Sequence, residues 1–200
     1  MTLNSETFPA VGEDRIGNIL KWVLLAVAIV TFGLLSWTTV VTYEQAPPLP
    51  DRFVTTGGAA VLTEPEIYRG KQGFQRADLM DYGSLYGMGS YFGEDYTADA
   101  LVKLATQTEE NIALTEYGKP FADLSPEHKT GVKSVMQAEL QQVDLTQKRA
   151  VIPHALATAI ETLRATIADK LLHNNFTKGW TKADSLDAQS ASDTAGFLIY

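Results

Sequence analysis

The most extended hydrophobic segment of the chain lies close to its N-terminus. From Ile19 to Val41 nearly every residue is apolar, and the interruptions are Lys21 and a few small hydroxyl residues. At about 1.5 Å of rise per residue, a helix over residues 22–41 spans about 30 Å, the thickness of the hydrocarbon core of a bilayer. The small-residue cleavage site of a signal peptide does not follow it. We therefore expect an uncleaved transmembrane helix at residues 19–43.

The charges on the two sides of this helix predict its orientation. Arg15 and Lys21 lie on its N-terminal side, whereas Glu44 and Asp51 follow it. The positive-inside rule then places residues 1–18 in the cytoplasm. We expect a protein of the cytoplasmic (inner) membrane that has the lipid bilayer as one partner. Its main domain is expected on the extracytoplasmic, or periplasmic, side.

The residues that follow the membrane helix predict a mainly helical domain at 44–190. A proline-rich spacer at 45–50 comes first, and apolar positions then recur every three or four residues. Residues typical of helix starts precede these runs, at Thr63, Thr97, Ser125 and Pro153. Thr63 and Glu66 have the spacing of a capping box, which predicts a helix that ends near residue 76.

The clearest apolar stripe lies in the C-terminal part of this domain. It consists of Leu156, Ile160, Leu163, Ile167 and Leu171. The spacing places these residues on one face of a helix that begins at Pro153 and ends near Asn174. A further apolar run ends with the sequence itself, so we expect residues 191–200 to begin a second transmembrane helix. The alternative is a short C-terminal strand or a hydrophobic tail.

Glycines and aromatic residues are interleaved between residues 81 and 95. They are Gly83, Gly87, Gly89, Gly93, Tyr82, Tyr86, Tyr91 and Phe92. Glycine allows backbone dihedrals that other residues rarely adopt, and aromatic rings can hold such a backbone in place. The pattern predicts an ordered loop.

Composition narrows the chemistry that the chain can perform. The sequence contains no cysteine, which excludes disulfides, thiolate metal ligands and a nucleophilic thiol. A net charge of −8 and the lack of a Lys/Arg cluster argue against a nucleic-acid partner, because phosphate binding depends on clustered cations. The G-x-S-x-G motif of many hydrolases is absent as well. By itself, the sequence offers no catalytic residues.

The three histidines do not form a metal-binding pattern. His128, His154 and His173 fall on different predicted helices, and no pair has the spacing of ligands on one helix face. We expect surface or capping roles for them, and His173 would interact favourably with the dipole at a helix C-terminus.

Three stretches of the domain resemble a known family. Residues 70–75 read Gly-Lys-Gln-Gly-Phe-Gln, and residues 79–84 read Leu-Met-Asp-Tyr-Gly-Ser. Residues 87–98 then read Gly-Met-Gly-Ser-Tyr-Phe-Gly-Glu-Asp-Tyr-Thr-Ala. Together they resemble the N-terminal extension of the large subunit of quinol-dependent nitric oxide reductases, in the haem–copper oxidase superfamily. That family typically reads G-Q-x-x-F-Q, then L-M-D-Y-G-S, then G-H-G-A-Y-x-G-P-D-F-T-A; this chain departs from it at Met88, Ser90 and Glu94.

The resemblance implies a fold and an electron donor. The extracytoplasmic domain of that family is similar to a cytochrome c that has lost its haem. The haem motif of the related cytochrome subunit, C-x-x-C-H, aligns here with Leu79, Tyr82 and Gly83 in place of the two cysteines and the axial histidine. The resemblance therefore implies that this region binds no haem covalently and that quinol delivers electrons within the membrane. Met80 and Met88 are then expected to be core or loop residues.

The resemblance also implies what the complete enzyme does. It would reduce nitric oxide to nitrous oxide with a low-spin haem b, a high-spin haem b and a non-haem iron, whose ligands lie outside these residues. This stretch would be structural and would cap the outer face of the catalytic transmembrane helices, its expected partner.

A candidate metal site follows from the same alignment. Gly89 and Tyr91 fall where the related cytochrome subunit offers oxygen atoms to a calcium ion, and calcium accepts backbone carbonyl ligands. The simpler interpretation is that the glycines serve turns and Tyr91 serves packing.

Two further interpretations share these features. Nitric oxide dismutase has the same architecture, and this part of the sequence does not separate it from the reductase. A protein of another class, a separate single-pass accessory or partner-binding subunit, would carry the same anchor and domain without a catalytic portion.

Overall fold

The computed structural model describes residues 13–45, 48–87, 93–179, 182 and 184–200. The chain divides into two compact units, one up to Pro47 and the other from Pro48 to Tyr200. The described residues of the first unit form one helix, and the second unit is a mainly helical domain that also contains a small sheet.

The N-terminal helix, α1, spans Glu13–Glu44. Its residues Gly17–Glu44 are long and apolar enough to cross a bilayer, with a mean hydropathy of 2.2. The hydroxyl of Thr39 donates to Leu35 O at 2.8 Å, and that of Thr42 donates to Thr38 O at 2.8 Å. Because hydrocarbon offers no hydrogen-bond partner, such internal bonds make these polar residues compatible with a membrane span. The prediction of an N-terminal helix that is long and apolar enough to span a membrane is confirmed, and the helix extends beyond the predicted residues 19–43 at both ends.

The domain is built from short strands and longer helices in a fixed order. Its elements are β1 (Arg52–Thr55), β2 (Ala60–Thr63), α2 (Glu64–Arg76), α3 (Leu79–Tyr82), α4 (Tyr96–Tyr117), α5 (Pro126–Gln141), β3 (Arg149–Ile152), α6 (His154–Leu172) and α7 (Ala188–Ile199). Single 3-10 turns at Phe121–Asp123 and Phe176–Gly179 follow α4 and α6. The prediction of a mainly helical domain behind one apolar helix is confirmed.

Three of the four predicted helix starts agree with the structure, and one is corrected. Ser125 caps α5 by accepting a hydrogen bond from His128 N, and α6 begins directly after Pro153. Glu66 accepts hydrogen bonds from the backbone N–H and the hydroxyl of Thr63, at 2.8 and 2.6 Å. At α4 the cap is Asp95 and not Thr97, because the Asp95 carboxylate accepts from Thr97 N at 3.0 Å.

The sheet has the strand order β2-β1-β3. Strands β1 and β2 form an antiparallel hairpin, whereas β1 and β3 run parallel. Phe53, Leu62 and Ile152 point from the sheet into an apolar cluster shared with Ile160 on α6. The sheet thus packs the start of the domain against the apolar stripe of α6.

Helices α2 and α7 cross at very close range. A Cβ atom added to Gly70 would lie 2.0 Å from Asp193 O, and one added to Gly73 would lie 2.0 Å from Thr194 Oγ1. Only glycine at these two positions permits such an approach. Ala191, Ala195 and Leu198 on the facing side of α7 are buried. The apolar run at the C-terminus forms a helix that packs against the domain core, and the idea that residues 191–200 begin a second transmembrane helix stays a prediction.

A network of charged side chains joins α2, α6 and α7 at this crossing. Asp193, whose side chain is 1% exposed, pairs with Arg69 Nε at 2.7 Å and with Arg164 Nη2 at 3.3 Å. It also accepts a hydrogen bond from Gln189 Nε2 at 2.9 Å. Arg164 extends the network to Glu66 at 2.9 Å and to the backbone carbonyl of Ser192 at 3.0 Å.

The carboxyl group of Glu66 is stabilised in its charged form within this network. Burial raises its pKa, but hydrogen bonds from Thr63 and Arg164 and the charge of Arg164 outweigh burial and hold the pKa below the ordinary value. Glu66 therefore both caps α2 and binds the guanidinium of Arg164 as a carboxylate.

We expect Asp193→Asn to lower the free energy of unfolding by about 3 kcal/mol, because the amide leaves the guanidinium groups of Arg69 and Arg164 without their buried anion. Urea unfolding of the full chain in detergent, followed by circular dichroism, measures the effect. Asp99→Asn is the matched control, since Asp99 forms an ion pair with Lys103 one turn away on the surface of α4. The control should cost only about 0.5 kcal/mol; equal effects of the two substitutions would contradict the prediction.

Candidate functional site

The described part of the glycine–aromatic segment consists of a helical turn followed by residues 83–87 and 93–95, which lie outside helices and named strands. The sequence predicts a loop from residue 81, but Leu79–Tyr82 form the short helix α3. Asp78, in the left-handed conformation with φ 54°, turns the chain into α3. Leu79 and Tyr82 are three residues apart and both are buried, as expected for two residues on the same face of a helical turn. The loop therefore starts at Gly83.

Backbone hydrogen bonds close the base of this loop. Ser84 N donates to Glu94 O at 3.1 Å, and Tyr96 N donates to Ser84 O at 2.9 Å. Tyr86 N donates to the hydroxyl of Thr97 at 3.1 Å. The two sides of the loop are thus hydrogen-bonded to each other and to the start of α4.

Glycine is required where the two sides of the loop come into contact. A Cβ atom on Gly93 would lie 1.7 Å from Tyr82 O. One on Gly83 would lie 2.4 Å from Tyr96 Cζ and 2.7 Å from Glu94 O. These distances are far shorter than any real contact between carbon and its neighbours, so a side chain at either position would force the base of the loop apart.

The side chain of Tyr96 fills the space behind this base. Tyr96 is 2% exposed, and its hydroxyl donates to Leu79 O at 3.0 Å. Its ring stacks on Phe176 with a centroid distance of 5.7 Å and meets Phe74 edge-on at 6.0 Å. Burial, together with the nearby charge of Glu94, raises the pKa of Tyr96 far above its ordinary value. Tyr96 is therefore a neutral hydrogen-bond donor at the centre of an aromatic cluster.

The residues at the positions of the cytochrome haem motif do not fit a covalent haem. Leu79 and Tyr82 have no thiol to form a thioether, and both side chains are packed in the core. An axial histidine at position 83 would project into the ring of Tyr96, since even its Cβ would be 2.4 Å from that ring. The space beside these positions is occupied by side chains of the domain itself.

The candidate calcium residues Gly89 and Tyr91 lie outside the described residues, as does Met88. The calcium site stays a prediction. Within the described ranges, no three His, Asp or Glu side chains lie close enough together to hold a metal ion.

The structure places the three histidines on separate surfaces. The ring of His128 stacks on Tyr117 with a centroid distance of 4.4 Å. His173 Nδ1 lies 3.1 Å from a carboxylate oxygen of Asp169, one turn earlier on α6. His154 is the exposed first residue of α6. None of these positions brings two histidines together.

An exposed apolar surface lies beside the loop. It surrounds a hollow of about 420 Å³ between α2, α4 and the end of α7. Its most exposed members are Tyr68, Tyr86 and Leu101, at 55%, 76% and 66% exposure. We call these three residues the apolar face. Exposed aromatic and aliphatic side chains grouped in this way are typical of surfaces that contact another protein or a membrane.

Sequence reasoning missed two parts of this arrangement. It did not identify Tyr96, although the signal was present: the family motif has phenylalanine there, and this chain adds a hydroxyl. It also missed the pairing of Arg69 with Asp193, which are 124 residues apart in the sequence. No local pattern indicates that contact.

The helices and the haem-motif positions define a cytochrome c-like domain whose core is completed by side chains, and the helix that precedes it in the sequence is long and apolar enough to cross a membrane. Residues 50–200 match the family of NorB cytochrome c-like domains, which belong to nitric oxide reductase. The match covers most of the chain, and the chain belongs to this family. A search of curated proteins returned no match.

We expect Gly83→Ala to lower the free energy of unfolding by about 1–3 kcal/mol, the range for forcing an extra carbon into a packed core. The added Cβ must displace the ring of Tyr96. Thermal unfolding of the full chain measures the change. Gly57→Ala is the control, since its nearest neighbour would be Thr55 Oγ1 at 3.7 Å. A Gly83→Ala variant as stable as the control would show that the base of the loop is not tightly packed.

Proposed function

We propose that this chain is the N-terminal part of a membrane nitric oxide reductase that takes its electrons from quinol. Two molecules of nitric oxide, two electrons and two protons would give nitrous oxide and water. The observation that supports this proposal best is the family match over residues 50–200, in combination with a haem-motif segment that cannot hold a covalent haem. A domain of this kind has no redox group to pass electrons from a soluble donor, which favours a donor dissolved in the membrane.

In this proposal the domain is structural, and the catalytic cofactors lie outside these residues. Haem b, a high-spin haem b and a non-haem iron would be held by catalytic transmembrane helices of the same or a partner chain. The domain lies on the periplasmic side of the cytoplasmic membrane and covers the outer ends of those helices. The apolar face is the surface we assign to that contact, because Tyr68, Tyr86 and Leu101 would otherwise remain in water.

The test of the proposed function compares electron donors. Membranes that contain the full-length protein should consume nitric oxide and release nitrous oxide with a reduced quinol, and should do so poorly with a reduced soluble cytochrome c. Consumption driven only by the cytochrome would overturn the assignment of quinol. Nitrogen and oxygen as products in place of nitrous oxide would indicate a dismutase, and no turnover of nitric oxide with either donor would favour an accessory subunit.

The structural role is tested by the same assay on a surface variant. Leu101→Glu introduces a charge into the apolar face and should abolish most of the quinol-supported activity, because the domain no longer covers the catalytic helices. Val135→Glu on α5 is the matched control, an exposed apolar residue outside the apolar face. Circular dichroism must show that both variants fold. Equal activity of the two variants would contradict a contact through Leu101.

Calcium remains part of the proposal through Gly89 and Tyr91. We expect a chelator to lower the thermal stability of the complete protein and to change its haem absorption spectrum, because a bridging cation joins the domain to the haem environment. Re-addition of calcium, but not of magnesium, should reverse both effects. Unchanged stability and spectrum after chelation would rule out this calcium site.

A further inference from the structure

Tyr96 is held like a bound ligand in a site made by the rest of the domain. Its ring is enclosed by Phe74, Phe176 and the backbone of Gly83, and its 2% exposure means that water does not reach it. Two backbone groups make polar contacts with its hydroxyl: the carbonyl of Leu79 accepts the phenolic hydrogen at 3.0 Å, and the backbone of Gly83 forms a second hydrogen bond. This is the composition of a small aromatic-binding site, with apolar walls and a few polar groups that orient the ligand.

The surroundings of Tyr96 are held by contacts that do not involve its ring. Ser84 N donates to Glu94 O, which closes the base of the loop. Phe74 also packs on Phe197, with a centroid distance of 5.5 Å, across the crossing of α2 and α7. The charge network around Asp193 holds that crossing from another side. Removal of the ring is therefore expected to leave a cavity and not to collapse the walls, as found for apolar sites whose neighbours are independently fixed.

The geometry points to a latent binding site for a small phenol at the position of Tyr96, which the wild-type chain fills with its own side chain. A side chain at position 83, where the cytochrome haem motif has its axial histidine, would project toward the same ring. This inference does not depend on the proposed function.

The hydroxyl of Tyr96 makes the site selective for phenols over plain arenes. A phenol that enters the cavity left by truncation can restore both the ring contacts and the hydrogen bond to Leu79 O. Benzene restores the ring contacts alone and leaves that carbonyl without the phenolic donor. We therefore expect phenol to bind more tightly than benzene by about a factor of 5–10, the worth of one net hydrogen bond.

The experiment is chemical rescue of the full chain in detergent, followed by thermal unfolding. Tyr96→Ala should melt about 10 °C below wild type, because it removes a buried ring. Phenol at ten times its Kd should then raise the melting temperature by about 4 °C, and benzene at the same concentration should raise it less. The wild-type chain, in which the site is filled, should not respond to either compound.

Two further variants keep the test decisive. Tyr96→Phe has the residue typical of the family at this position and should fold, melt a few degrees below wild type and show no response to phenol. Tyr117→Ala truncates a partly exposed tyrosine at the other end of α4 and should also show no response. If Tyr96→Ala does not fold alone, refolding in the presence of phenol supports the site. Failure to refold with phenol, or equal rescue of Tyr117→Ala, would overturn it.

Discussion

The ion pair between the guanidinium of Arg164 and the carboxylate of Asp193 lies where three helices from distant parts of the sequence meet. Arg164 lies on α6, Asp193 on α7 and Glu66 at the start of α2, and all three meet where the glycines of α2 let α7 approach closely. A charge as buried as that of Asp193 is tolerated only when it is fully paired. The observed network pairs Asp193 with Arg69 and Arg164, and these contacts hold α2, α6 and α7 together at the crossing.

The packed loop base depends in turn on this crossing. Phe74 lies on α2, one residue beyond Gly73, so its position is set where α2 meets α7. From there its ring contacts both Phe197 on α7 and Tyr96 at the start of α4. Phe74 thus connects the helices that the ion pairs join to the segment that carries the family motif. The motif and the charge network are parts of one packed region.

Local signals in the sequence predicted the helices because helix starts and apolar stripes are local properties. The Thr63–Glu66 capping pair and the stripe on α6 needed no knowledge of the rest of the fold. The sheet was not predicted, since each strand has only four residues and β3 joins β1 across most of the domain sequence. The cap of α4 was predicted wrongly, because aspartate and threonine both suit the N-cap position. Only the backbone conformation shows that Asp95, and not Thr97, has this role.

The family assignment likewise followed from a short motif, whereas the contents of the site did not. The motif identifies Leu79, Tyr82 and Gly83 as the positions of the haem motif. It does not show that Tyr96 packs against all three. No local pattern in the sequence indicates that contact. Phe176, which completes the ring stack, comes from a 3-10 turn some eighty residues further along the chain.

The self-filled core has a consequence for how the protein is made. A cytochrome c completes its core with a group that other proteins must deliver and attach after the chain has crossed the membrane. Here Leu79 and Tyr82 stand at the thioether positions and Tyr96 packs beside position 83, so this part of the core consists of side chains that leave the ribosome with the rest of the domain. The core of the domain can therefore form without the enzymes that attach haem to a polypeptide.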